Sequence, residues 1–556
     1  MRRKLRFFTV LLLSVSLLSC HFGVTAEQTE EAKKVYDLPE TADLGAYLAG
    51  SVAQNEYHID TSAAYFKQAL EAHPNNKTLQ KQVYVLNGLL AQFKEIRPLI
   101  EQIQKTADPM LFADYALVAL DFKDQKYDAV KKDIKPLGKN LLDSVLLPCV
   151  KAWLLVAEGN GKKALKTIDE LDKKEGIESL YWYQKGLIYL ALHQSEKADK
   201  CFEKLQQAKL PSVSALGILN EFYKKYPHDN THWSKQYEYA LKAQPILRSF
   251  LGNLPQKEEI TPDLGLSEAF HATAFLFQKS VNPQPVLLLN AFALTLNPDG
   301  IIPIVFSAEV FETNSFYAQA NFFYDKLPFT NEAVGLKKVA NLISLQEFSK
   351  AEKLLLDMMK KGYSPVVPLV LAELYQREGK YEEVVALTTP VLTELQKSKN
   401  KYLQEKARFY SVRGAAYLEL RQLQNAQADF KKAFKLDPEN PIILNNLGWA
   451  YLEQNTNLNQ AYALIERAHQ ILPKEAAILD SMAVVALKQK KYDLALEYAE
   501  SATTLMPQSA LANAHLGEIY EATGRHREAQ FQYKKALDLK AETSPYLQQK
   551  LKAKLK

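Results

Sequence analysis

The feature that most constrains the fold is a small residue that returns at nearly constant steps along the C-terminal part of the chain. Gly414, Gly448, Ala483 and Gly517 are separated by 34, 35 and 34 residues. Each stands in a segment that otherwise reads as helix, where glycine costs about 1 kcal/mol relative to alanine. A cost that recurs at one period predicts a repeated packing role, in which two helices cross closely at this position.

Further positions follow each small residue at fixed offsets. The recurring residues are alanines 12 or 13 positions later and prolines that close three of the four units: Ala426, Ala461, Ala495 and Ala529, then Pro438, Pro473 and Pro507. Proline ends a helix because it lacks an N–H group and clashes with the preceding turn. Gly186 marks the same position in an upstream unit.

This combination is the pattern of the tetratricopeptide repeat, a hairpin of two antiparallel helices. Such repeats bury their apolar stripes only against neighbouring repeats. We therefore predict an all-α, superhelical solenoid of about fourteen helix-turn-helix repeats, strongest at the C-terminus.

Breaks in the pattern divide the chain into predicted segments. Gly252, Pro255, Pro262 and Gly265 fall within a short span, and this density of helix breakers indicates a joint. The predicted segments are a degenerate array at 43–247, a joint at 248–262, a second degenerate array at 263–406, clear repeats at 407–543 and a basic capping helix at 544–556.

The first 26 residues predict an export signal. Four basic residues among the first six precede an apolar run over 7–18, which is too short to span a bilayer. Residues 17–20 resemble a lipobox and predict lipidation of Cys20, whereas 24–26 would suit an ordinary signal peptidase. We favour an exported lipoprotein of the cell envelope, on the periplasm-facing side of the outer membrane. The alternative is a soluble periplasmic protein.

The net charge of the chain indicates which classes of partner it can attract. The chain has 69 basic and 64 acidic residues, and removal of the leader with its four basic residues leaves a net charge of +1. A nearly neutral body provides no field that would attract nucleic acid. The expected partners are envelope proteins, with membrane contact only through a lipid anchor at Cys20.

The sequence carries no recognised catalytic motif. It lacks H-E-x-x-H, G-x-S-x-G, P-loop and C-x-x-C patterns. His228, Asp229 and His232 offer too few converging ligands for a metal site. We therefore predict no enzymatic activity, catalytic residue, metal or cofactor. A site built across repeats is the remote alternative.

In these repeats the first helix of each hairpin lines a groove, so its inward positions are the candidate binding residues. In the C-terminal array they include Arg408, Asn445, Trp449, Asp480, Glu518 and Glu521. Glu419, Glu453 and Lys488 stand at equivalent positions, so five of the inward residues are acidic and two are basic. This excess of acidic residues predicts an acidic groove. Trp449 is interpreted either as an aromatic anchor or as a core residue.

Three stretches resemble a family of exported tetratricopeptide-repeat proteins of alphaproteobacteria: GAYLAGSVAQ, ITPDLGLSEAF and residues 463–537. The chain departs from that family at Met482-Ala483, in place of Leu-Gly, and at Ala541, in place of proline. The resemblance implies an envelope-associated scaffold for protein–protein interaction. The alternative is a lipid-anchored spacer that assists secretion or assembly of an envelope polymer or outer-membrane protein.

Overall fold

The structure is a computed structural model. It describes residues 44–555, apart from 56–57, 106–111, 139, 206–211, 226–234, 236–258, 280–281, 329–330, 363, 399–400 and 540–544. Within these residues every regular element is a helix, which confirms the predicted all-α class. The predicted signal peptide with Cys20, and the segment His228–His232, lie outside the described residues.

The chain divides into two compact units, unit 1 (Met1–Leu345) and unit 2 (Gln346–Lys556). The α-helices of unit 1 are α1 (Leu44–Asn55), α2 (Ile59–Ala72), α3 (Lys77–Leu89), α4 (Arg97–Gln104), α5 (Ala113–Lys123), α6 (Tyr127–Asp133), α7 (Leu141–Ala157), α8 (Gly161–Ile168), α9 (Glu178–Ala191), α10 (Ser195–Leu205), α11 (Val213–Lys225), α12 (Pro262–Leu276), α13 (Gln284–Leu296), α14 (Ile301–Thr313), α15 (Tyr317–Asp325) and α16 (Glu332–Ser344). Short 3₁₀ helices at Phe93–Ile96 and Asp169–Leu171 accompany them.

Unit 2 continues the hairpin pattern. Its helices are α17 (Phe348–Lys360), α18 (Val366–Arg377), α19 (Tyr381–Gln396), α20 (Leu403–Glu419), α21 (Leu423–Leu436), α22 (Pro441–Glu453), α23 (Leu458–Ile471), α24 (Ala476–Lys488), α25 (Tyr492–Leu505), α26 (Ala510–Ala522), α27 (His526–Asp538) and α28 (Pro545–Lys554). From α18 to α27, each even-numbered helix pairs with the next as the first and second helix of a hairpin.

Local sequence explains where these helices begin and turn. The Asn440 side chain accepts hydrogen bonds from the amides of Ile442 and Ile443, which caps α22. Between the two helices of a hairpin, one residue takes a left-handed conformation, as at Arg421 with φ of 59° and Lys490 with φ of 60°. That turn reverses the chain, so the second helix packs back along the first.

The N-terminal hairpins of unit 1 are covered by later helices of the same unit. In these hairpins α3, α5, α7 and α9 are the first helices, and each is followed by its second helix, α4, α6, α8 or α10. Helix α12 packs on α7 and α9, and α13 packs on α3 and α5. Gly265 of α12 lies directly against the ring of Trp153 on α7, where an added Cβ would overlap the ring. The first-helix face of the N-terminal hairpins is therefore occupied by the chain itself.

Buried polar groups help to hold this cover in place. Glu268 of α12 accepts hydrogen bonds from the Tyr183 hydroxyl of α9 at 2.9 Å and the Ser214 hydroxyl of α11 at 2.6 Å. All three side chains are buried. Burial, together with the nearby charge of Glu268, raises the pKa of Tyr183 well above its usual range. We read this network as structural, since a buried carboxylate is tolerated only with such partners.

The sequence predicts a joint at 248–262, and most of that segment lies outside the described residues. Its end is the start of α12, where Thr261 accepts a hydrogen bond from the Leu264 amide as N-cap. Helices on both sides of the segment belong to unit 1, and the division between compact units falls after Leu345.

Candidate binding face

The repeating small residues lie where the two helices of a hairpin cross. A Cβ added at Gly448 would stand 2.6 Å from Ile465 Cγ1 and 3.0 Å from the carbonyl oxygen of Ala461. The same close approach occurs between Gly186 and Phe202, Gly414 and Phe430, and Gly517 and Tyr533. The absent side chain thus lets the second helix dock, and the hairpin presents its first helix on the other side.

The first helices α18, α20, α22, α24 and α26 contact one another in order and form what we call the first-helix face of unit 2. Trp449 on α22 and His515 on α26 are two repeats apart, yet their ring centroids are 5.2 Å apart. The rings meet across the intervening helix α24, so the face is concave there. Trp449 is half-buried against this surface.

A buried ion pair lies beneath the concave part of the face. His515 Nδ1 is 2.8 Å from Asp480 Oδ2, and both side chains are buried. Burial lowers the pKa of His515, but the charge and hydrogen bond of Asp480 outweigh burial and raise the pKa above its ordinary value. Asp480 therefore serves as the buried partner of His515 instead of facing a ligand.

The other predicted groove residues divide by exposure. Asn445 is buried. The side chain of Arg408 is 49% exposed and forms an ion pair with Glu373 on the neighbouring first helix. Glu518 and Glu521 reach solvent in part, with 25% and 41% of their side chains exposed. The structure thus brings Trp449, Asp480 and Glu518 near His515, while Arg408 lies at the start of the array.

Helix α28 provides residues of this face that the sequence prediction missed. Lys550 Nζ lies 2.5 Å from Glu518 Oε1, and Lys554 Nζ lies 2.7 Å from Glu521 Oε2. The hydrogen bond from Lys554, with one from Tyr533, lowers the pKa of Glu521. The spacing of these lysines marks one basic side of α28, but it does not identify the helix that receives it.

Arg421, just after α20, is a further residue that the sequence prediction missed. Its guanidinium lies 4.1 Å from the centroid of the Tyr546 ring of α28. It also pairs with Glu453 at the end of α22, at 2.9 Å. Arg421 thus connects α28 to the first helices at the beginning of the clear repeats.

Among the described residues, no group of three or more His, Cys, Asp and Glu side chains is arranged to hold a metal ion. In the same part of the chain, no helix combines the length and apolar character needed to cross a membrane. Cys149 and Cys201 are buried free thiols.

Sequence comparison identifies the repeat. Residues 407–455 match a family model described as TPR repeat, and residues 486–555 and 180–210 match models described as tetratricopeptide repeat. The TPR repeat-containing protein PA4667 of Pseudomonas aeruginosa is 34% identical over 96 residues. That match covers 17% of this chain and only 16% of the relative's length. The chain therefore contains tetratricopeptide repeats, as the period of its small residues predicted.

Solved structures with similarity to this chain include other repeat proteins. The APC/C hetero-tetramer Cut9–Hcn1 gives a TM-score of 0.36 at 12% identity, over 92% of this chain and 96% of that one. TTC0263, a thermophilic TPR protein of Thermus thermophilus, gives 0.29 at 21% identity, over 34% and 99%. YrrB, described as a TPR protein with an unusual peptide-binding site, gives 0.23 at 20% identity, over 37% and 97%.

Proposed function

We propose that this protein is a non-enzymatic scaffold that holds segments of partner proteins on the first-helix face of unit 2. One contrast between the two units carries the proposal. In unit 1 the first helices α3, α5, α7 and α9 are covered by α12 and α13. In unit 2 the corresponding face keeps charged and aromatic side chains that reach solvent, such as Arg408, Trp449 and Glu521.

The chemistry of this face favours a basic partner segment. Its carboxylates at Glu453, Glu518 and Glu521 pair with basic groups of the chain itself. Basic groups of a partner segment would pair with the same carboxylates. Trp449 adds a flat, half-buried ring of the kind that anchors protein interfaces. An amphipathic helix laid into a concave surface is one of the recurring modes of peptide recognition.

We place this scaffold in the bacterial cell envelope. The support is the predicted leader over residues 1–26 and the resemblance to exported repeat proteins of alphaproteobacteria. A lipid at Cys20 would hold the repeats at a membrane surface, where the partners would be other envelope proteins.

Site-specific photo-cross-linking in intact envelopes tests the proposal. A photoreactive phenylalanine analogue replaces Arg408 or Trp449 on the first-helix face. The matched control position is Phe531 on the second helix α27, whose side chain is 65% exposed. We expect a discrete protein adduct from the first-helix positions and none from Phe531. Adducts that form equally well from Phe531, or only from Phe531, would contradict the assignment of the face.

A further inference from the structure

The surface of helix α28 carries two stripes of side chains. Tyr546, Lys550 and Lys554 recur every four residues and therefore share one side of the helix. Leu547 and Leu551 form the adjacent stripe and are buried at 7% and 2% exposure against the last repeat. The helix is thus amphipathic, with a basic and aromatic stripe beside an apolar one.

The basic stripe reaches across several repeats. Lys550 and Lys554 pair with Glu518 and Glu521 on α26, the first helix of the last hairpin. Tyr546, one turn before Lys550, lies against Arg421, which belongs to a hairpin three repeats earlier. Helix α28 therefore runs alongside α26, packs against α27 of the same hairpin, and reaches the earlier hairpin through Tyr546 near its N-terminus.

These contacts exceed what a terminal cap requires. A cap has to cover the apolar edge of the last repeat, and Leu547 and Leu551 do this. The two ion pairs and the contact between Tyr546 and Arg421 cover no apolar edge. They are the contacts that a basic amphipathic helix bound to this face would make.

We propose that α28 is an intramolecular ligand, which occupies the position of a basic amphipathic partner helix and must be displaced before that partner binds. The inference rests on the proposed function of the first-helix face. It also specifies the partner as a helix with an aromatic residue and with basic residues four and eight positions after it. One leucine directly follows the aromatic residue, and another directly follows the first basic residue. Helix α28 itself supplies the example, in Tyr546, Leu547, Lys550, Leu551 and Lys554.

The strength of the contacts is compatible with displacement. The side chains of Lys550 and Lys554 remain 40% and 38% exposed, and ion pairs with such exposure contribute little and are screened by salt. Because α28 is tethered to the face, it nevertheless competes at a high effective concentration. A weak free ligand is therefore excluded, whereas a longer or more complementary partner helix can replace α28.

Binding of a labelled synthetic peptide of residues 545–555 tests this inference in the full chain. The double reversal Lys550→Glu with Lys554→Glu should repel α28 from the face and leave the face open. The peptide should then bind on the order of tenfold more tightly than to the unmodified chain. The matched control, Lys534→Glu with Lys552→Glu, makes the same charge change at exposed positions and should bind the peptide as the unmodified chain does.

Two further measurements test whether the peptide binds where α28 lies. Adding Glu518→Lys and Glu521→Lys to the released chain should abolish the gain in peptide affinity. In the unmodified chain, saturating peptide should increase hydrogen exchange of the α28 amides severalfold, a readout that does not depend on any variant folding. A folded double reversal with unchanged peptide affinity, or α28 exchange that does not respond to the peptide, would overturn the inference. Because the assay needs no envelope protein, its failure is distinguishable from failure of the cross-linking experiment.

Discussion

At Gly448 a single missing side chain determines how two helices meet. An added Cβ would face the side chain of Ile465 and the backbone of Ala461 at once, and a backbone oxygen cannot move aside as a side chain can. We expect Gly448→Leu to destabilise unit 2 by about 1–3 kcal/mol, because overpacking forces the helices apart. Urea unfolding followed by hydrogen exchange of α22 and α23 measures the effect.

A matched substitution separates packing from the general effect of a new leucine. Ala477 lies at an exposed position of the first helix α24, so Ala477→Leu should leave stability within about 0.5 kcal/mol of the parent. Equal stability of Gly448→Leu and the parent would remove Gly448 from the helix crossing.

The buried pair of His515 and Asp480 makes stability depend on pH. The groups that face His515 are Asp480, Glu518 and Lys550, and their net effect raises its pKa above the ordinary value of about 6.5. A raised histidine pKa contributes stability that is fully present below the unfolded pKa and is lost as pH rises through the folded pKa. Unit 2 should therefore melt at a lower temperature at about pH 9 than at about pH 6.

Replacing Asp480 with asparagine removes the charge that raises the pKa of His515. Burial then favours the neutral ring, and the melting temperature of unit 2 should lose most of its dependence on pH over this range. His526→Gln changes an exposed histidine and should keep the dependence. An Asp480→Asn variant with the parent's pH profile would show that the pair does not titrate as described.

At the scale of helices, the two units cover their first helices in different ways. In unit 1 the cover is closely packed and mostly apolar, and Gly265 allows α12 to approach Trp153. Gly265→Ala should lower the stability of unit 1 by about 1–3 kcal/mol through overlap with the indole ring, while hydrogen exchange of unit 2 stays unchanged.

A double-mutant cycle tests whether that overlap is the cause. Trp153→Phe removes the part of the ring that faces Gly265 and also the Trp153 hydrogen bond to Gln184. Combined with Gly265→Ala, it should cost less than the sum of the single changes by about 1 kcal/mol. Additive effects would show that α12 does not press on Trp153.

The same helices show how much the sequence could predict. Gly448 and Ala461 belong to a local pattern, and their period is sufficient to predict the hairpins of unit 2. Helix α12 has no such pattern, because it is buried on nearly all sides and its partners on α7 and α9 lie far earlier in the sequence. The pairing of Lys550 with Glu518 was missed for a related reason: charge spacing identifies a basic face but not the helix that receives it.

At the scale of the whole molecule, the lipid anchor remains a prediction that one residue decides. If Cys20 is acylated, more than one hydrocarbon chain enters the membrane, and two or more chains anchor a protein stably. The protein should then incorporate labelled palmitate and resist extraction by high salt, and Cys20→Ala should lose the label. Mass spectrometry of the mature N-terminus decides: an unmodified chain beginning at Glu27 would contradict lipidation.

We have proposed that partners bind the first-helix face of unit 2. The most direct test measures the affinity of a partner recovered by cross-linking for Glu518→Lys with Glu521→Lys. The matched control is Glu466→Lys with Glu497→Lys, at exposed positions of the second helices α23 and α25. We expect at least tenfold weaker binding for the first pair at low salt, a smaller difference at high salt, and parental binding for the control. Parental binding by the first pair, equal loss of affinity in both pairs, or loss in the control alone would contradict this assignment.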